Sequence, residues 1–129
     1  MRPTEIKRFA ENALNHVVID ADLIQQYAYG QEWKDSPFPN AQKLRFETTG
    51  YFTRSSSIGP VGSETCSFGP KESDQFRFNI YETDLKPNSN WIELLFQIDW
   101  FLFLIGDRHH IYLTTIASEG DVLQLYCDS

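Results

Sequence analysis

The sequence predicts an α+β domain in which two N-terminal helices pack on a mostly antiparallel sheet of four to six strands, closed by a C-terminal meander. Three observations predict it. Apolar residues recur at helical spacing only within the first thirty positions, and from Lys43 onward the period becomes two. The helical part also precedes the strand part instead of alternating with it, which favours segregated layers over βαβ units. The 129 residues fit one domain, residues 1–129, and 41% of them are hydrophobic, enough to form a core.

The first helix follows from Ile6, Phe9, Ala10, Ala13, Leu14 and Val17, which share one face, while Lys7, Arg8, Glu11 and Asn12 take the other. Thr4 after Pro3 is the expected cap. A second, shorter helix follows Asp20, with Leu23, Ile24, Tyr27 and Ala28 on one side and Gly30 near its end. The two prolines of "KDSPFPNAQ" then break the chain. Leu44 and Phe46 alternate with Arg45 and Glu47 in the first strand. Phe76, Phe78 and Ile80 alternate with Arg77, Asn79 and Tyr81 in a later one. Between them a Gly-, Ser- and Pro-rich stretch holds a short strand around Thr65 to Phe68. Its glycines form neither GK[ST] nor GxGxxG, so it is not a phosphate cradle.

The segment "WIELLFQIDWFLFLI" is apolar at every even position from Ile92 to Leu104, with Glu93, Gln97 and Asp99 at odd positions. As a helix it has no coherent polar stripe, so it is expected as a strand. One local feature argues the other way: Asn90 with Glu93 three residues later has the spacing of a capping box. In the strand reading Gly106-Asp107 forms a type II′ turn, pairing Phe103 with His110 and Phe101 with Tyr112. A turn at Glu119-Gly120 and a last strand, "VLQLYC", complete the meander.

Asp107, Arg108, His109 and His110 at that tip are the one cluster with the look of an active site. Neighbouring strand residues point to opposite faces, so His109 and His110 cannot converge on one metal ion. The spacing permits Asp107 and a histidine to form an acid–base pair, but a base also needs a nucleophile or substrate within reach, and none is marked. GxSxG is absent, and the serines at 55–57 and Ser63 have no identified partner. The expectation is a protein with no catalytic, metal or cofactor site. A small enzyme using Asp107, His109 or His110 is the alternative from a different class.

The face opposite the core carries Glu93, Asp99, Phe101, Phe103, His110 and Tyr112, and these are the expected partner-binding residues. Rings supply contact area, and carboxylates steer and hydrogen-bond a cationic protein. The charge distribution agrees. Residues 1–54 carry seven basic and seven acidic side chains. Residues 55–129 carry four basic and eleven acidic ones, and so hold the whole net charge of −7. Such a surface repels phosphate backbones and attracts basic partners, so nucleic acid is not expected as a ligand. The apolar run 91–105 is too short and too polar to span a bilayer, and residues 1–16 lack a signal-peptide pattern. The expected compartment is the cytoplasm. There Cys66 and Cys127, far apart and in no CxxC, are favoured as free thiols, with a disulfide as the other possibility.

In size, acidity and α+β pattern the chain resembles bacterial immunity proteins, which neutralise a cognate toxin in contact-dependent or other polymorphic toxin systems. The resemblance implies a basic toxin domain, many of which are nucleases, as the partner. It brings no residue roles with it. A structural or adaptor homodimer, burying its second apolar face, is the remaining reading.

Overall fold

A computed structural model describes residues 3–28, 30–49, 57–67 and 69–128. Three helices lie on one face of a six-stranded mixed sheet. In chain order the elements are α1 (Pro3–Ala13), β1 (Val18–Ile19), α2 (Ala21–Ala28), β2 (Lys43–Thr49), β3 (Gly62–Ser67), β4 (Gln75–Asp84), α3 (Trp91–Ile105), β5 (Tyr112–Glu119) and β6 (Val122–Asp128). The strands run β1-β5-β6-β2-β4-β3 across the sheet. The pairs β2–β4, β3–β4 and β5–β6 are antiparallel, whereas β1–β5 and β2–β6 are parallel.

The first two helices form as expected. α1 begins at Pro3, where a missing N–H leaves nothing unpaired, so Thr4 lies inside the helix instead of capping it. Asp20 starts α2: its Oδ1 accepts from Asp22 N–H at 2.9 Å. Gly30 follows with φ 74°, a conformation that glycine adopts without a Cβ clash. The expected strand near Thr65 is β3, with Phe68 outside the described residues.

The segment 91–105 is a helix, not a strand, and this corrects the largest expectation. Asn90 Oδ1 accepts from Glu93 N–H at 2.9 Å and Glu93 Oε1 from Asn90 N–H at 3.1 Å, a complete capping box. At the other end Gly106 turns left-handed, φ 82° and ψ 13°, and donates its N–H to Leu102 O. The missing polar stripe has a simple cause: α3 is buried on two sides. Leu94, Ile98, Phe101, Leu102 and Ile105 pack on the sheet with Leu44, Phe46, Tyr81, Leu113, Ile116, Leu123 and Leu125. Trp91 and Leu95 pack against Ile6, Ala10, Ile24 and Ala28 of α1 and α2. A helix covered on two faces reads as apolar nearly all round.

Two consequences follow for the sheet. Gly106-Asp107 is a helix end and not a hairpin turn, so Phe103 does not pair with His110, nor Phe101 with Tyr112. The meander reduces to one hairpin, β5–β6. Its turn is Gly120-Asp121, one residue later than expected, with Glu119 opposite Val122 and Gly120 at φ 64°. Because α3 carries the chain over the sheet, this hairpin slots between β1 and β2 and meets each of them in parallel. The sheet is therefore mixed instead of mostly antiparallel.

Candidate functional site

The strand register sorts side chains onto two faces, since directly paired residues point the same way. Leu44, Phe46, Tyr81, Leu123 and Leu125 face the helices. The opposite face carries Tyr112, Tyr126, Phe76 and Phe78, together with Glu47, Glu64, Glu82, Asp84, Glu119 and Asp128. The strand 75–84 alternates as expected, but Tyr81 is the residue packed under the helices, while Phe76, Phe78 and Ile80 point away from them, Ile80 being buried as expected. At its β1–β5 edge, Lys7, Ala10 and Glu11 of α1 border one concavity with Val18 and Tyr112. Tyr126 is 48% exposed, Tyr112 39% and Phe76 37%, so the rings are accessible. Phe76 and Phe78 meet edge to face at 5.0 Å.

The electrostatics of this face are one-sided. Its basic residues are Lys43 and Arg45, and Arg45 is held between two acids, with Glu47 at 3.8 Å and Glu82 at 3.7 Å. Glu64, Asp84, Glu119 and Asp128 lie on β3–β6 around that neutralised centre. The result is aromatic contact area bordered by carboxylates, the combination that recognises a cationic protein surface.

Of the six residues expected on a partner-binding face, only Tyr112 lies on this one. Phe101 is in the core, 2% exposed. Asp99 is buried and accepts three backbone N–H groups, from Asn15 at 3.1 Å, His16 at 2.9 Å and Val17 at 2.7 Å. It ties the end of α1 to α3 and is a structural residue. Glu93 belongs to the capping box and pairs with Lys86, whose hydrogen bond, with that from Asn90 N–H, holds its carboxyl below the usual range. Phe103 lies on the outer side of α3, where it stacks on Trp100 with centroids 5.6 Å apart.

His110 belongs to a separate cluster. Asp107 is buried, and its Oδ1 accepts from the backbone N–H of His109 at 3.0 Å and of His110 at 3.2 Å. Its Oδ2 meets His110 Nδ1 at 2.7 Å and accepts from the Thr48 hydroxyl. Burial opposes ionisation of Asp107, but Thr48, His110 and His109 N–H outweigh it and hold the carboxyl below the usual range. Such a pair fixes the orientation of an imidazole, as a general base or a structural lock requires. His109 is exposed while His110 turns in on Asp107, so the two do not converge.

The hydroxyl that touches the cluster is that of Thr48, which donates to Asp107. Cys127 lies close enough to feel Asp107, and burial, with Asp107 and Asp128, pushes its thiol up to about 12. Ser63 is on β3, accepting from Arg77 at 2.8 Å, and residues 55 and 56 lie outside the described residues. Cys66 and Cys127 are both free thiols. They sit three strands apart, roughly 14 Å, on opposite faces of the sheet, too far for a disulfide. No described helix is long and apolar enough to cross a membrane.

Sequence reasoning missed the acidic aromatic face because it assigned the aromatics of 91–105 to the sheet. The signal for it lay in the alternation of 75–84 and of 122–128, where Phe76, Phe78, Glu82 and Asp84, and then Tyr126 and Asp128, fall on one face of their strands. Compared with known proteins, the chain matches no family model, no curated protein and no solved structure.

Proposed function

We propose that this protein is a cytoplasmic binding protein of the toxin-immunity type, which neutralises a basic toxin domain by covering it. One observation carries the reading: the sheet face turned away from the helices combines exposed Tyr112, Tyr126 and Phe76 with a marked excess of carboxylates. The concentration of the whole net charge of −7 in residues 55–129 supports it. A cationic domain is the complementary partner, drawn in by long-range attraction and held by the rings. Blocking a toxin needs no catalytic group on the inhibitor, only a surface that excludes the toxin's substrate.

The test begins with the gene's neighbours, where a large reading frame ending in a basic domain is expected. Co-expression of this protein is expected to relieve the growth arrest caused by that domain. The purified pair is expected to associate more slowly as salt rises. A toxin domain that binds nothing and arrests growth undiminished sinks the reading.

A second reading, an enzyme centred on His110, is favoured by the 2.7 Å Asp107–His110 contact. The two readings part on His110→Asn, which abolishes activity in an enzyme and leaves protection by a sheet-face inhibitor intact.

A further inference from the structure

The outer side of α3 carries Phe96, Trp100 and Phe103 at i, i+4 and i+7, one continuous stripe. They are 46%, 62% and 49% exposed, in a helix whose other positions are largely buried. The stripe extends sideways through Phe9, edge to face with Phe96 at 5.2 Å, and His16, edge to face with Phe103 at 6.1 Å. Three half-exposed rings of this size present roughly 300 Å² of apolar surface, the scale of the functional patches seen on single chains.

The charges bordering the stripe say what covers it. Glu5 and Arg8 lie on the Phe9 side of α1, Lys86 pairs with Glu93 at the start of α3, and Arg108 follows its end. Both signs are present in near balance, unlike the sheet face on the opposite side of the molecule. A two-fold interface brings the same patch together twice and so must be complementary to itself. The mixed border meets that condition. The acidic sheet face, set against its own copy, does not.

We propose that the Phe96–Trp100–Phe103 stripe is the two-fold interface between two copies of this chain. Trp100, at the centre and the most exposed, is its anchor, and the α1 and Arg108 charges form the rim. The arrangement leaves both acidic sheet faces pointing outward. It stands on the helix face alone, whatever the sheet face binds.

Sedimentation velocity of the full chain over a dilution series tests this without any substitution. A reversible dimer is expected, with Trp fluorescence shifting to the red as it dissociates. Trp100→Glu is expected to raise the dimer dissociation constant by at least about 30-fold, the effect of losing a central anchor, while the far-ultraviolet circular dichroism of the monomer is retained. Phe96→Ser with Phe103→Ser is expected to act alike, and serves if Trp100→Glu fails to fold. A wild-type chain that stays monomeric at 100-fold the concentration of the binding assays overturns the proposal. So does a dimer that persists in both folded variants, which places the contact elsewhere. Open-ended growth overturns it too, because that is a stripe docking head to tail on another copy's sheet face.

Discussion

Asp99, in the middle of α3, accepts the backbone N–H of Val17, the residue leading into β1, at 2.7 Å. With Asn15 and His16 donating as well, one carboxylate satisfies the chain where it leaves α1 and has no helical partner to offer. Asp99→Ala leaves these donors without their acceptor in a largely buried place, and is expected to cost about 2–4 kcal/mol of stability. Asp99→Asn, which keeps one acceptor oxygen, is expected to cost less. Urea unfolding of the two variants checks the order. Equal, near-zero losses contradict the assignment.

His16 gives stability a pH dependence. Burial lowers its pKa below the ordinary 6.5, with Arg108 acting the same way and Asp99 and Asp107 opposing. Its Nε2 is buried without a hydrogen-bond partner. The unfolded chain therefore binds the proton more readily than the folded one. Stability is complete above about pH 6.5 and declines as pH falls below it. Thermal unfolding between pH 8 and pH 5 is expected to show that decline, and His16→Gln to flatten it.

Asp107 adds a second, more acidic step. Its carboxyl is held below the usual 3.8, so its contribution is present above that value and disappears as pH falls through the depressed one. Thr48→Val removes one of the hydrogen bonds that hold it there, and is expected to shrink this step while leaving the His16 step in place. The two variants thus separate the two parts of the acid limb in one set of melting curves.

The thiols should react unequally. Cys127 is half-buried against the core and its thiol is pushed up to about 12, so almost none is thiolate at pH 8. Cys66 is half-buried on the edge strand β3. Titration of the native protein with a disulfide reagent at pH 8 is expected to modify Cys66 promptly and Cys127 only after denaturant is added. Prompt reaction of both refutes the raised thiol of Cys127.

On the sheet face, Glu64→Gln, Glu119→Gln and Asp128→Asn are surface changes, each expected to alter stability by less than about 0.5 kcal/mol. Against a basic toxin domain, the triple variant is expected to associate several-fold more slowly at low salt, the difference closing as salt rises. Tyr126→Ala is expected to act on dissociation instead, by about 2 kcal/mol if the ring is an anchor. Stopped-flow association and dissociation rates distinguish these effects.

The sequence made α1, α2 and five of the six strands readable: all of these but β3, which is exposed along almost its whole length, have one wet face and one buried face and so show their period. α3 has no such contrast. Its two buried sides and its exposed Phe96, Trp100 and Phe103 leave almost every position apolar, and the period that separates helix from strand is lost. Only the Asn90–Glu93 cap, a local contact independent of packing, marked it correctly. β1, two residues long, is too short to carry a period at all. The site suffered from the same error. Once 91–105 was placed in the sheet, Asp99 and Phe101 moved to a surface they do not occupy, while Tyr126, Phe76 and Phe78 went unweighed.

The place of β6 in the sheet has a consequence for synthesis. It joins β5 on one side and β2 on the other, and no other strand links those two. While residues 122–128 are still within the ribosome, the nascent chain holds β2, β3 and β4 as one fragment and β1 and β5 as another. Leu44 and Phe46 then wait on an open edge for Leu123 and Leu125 to reach them. Until the closing strand emerges, β2 and β5 each present an unpaired edge of the kind that other chains add to, and any stop codon before Val122 leaves both edges open beneath α3.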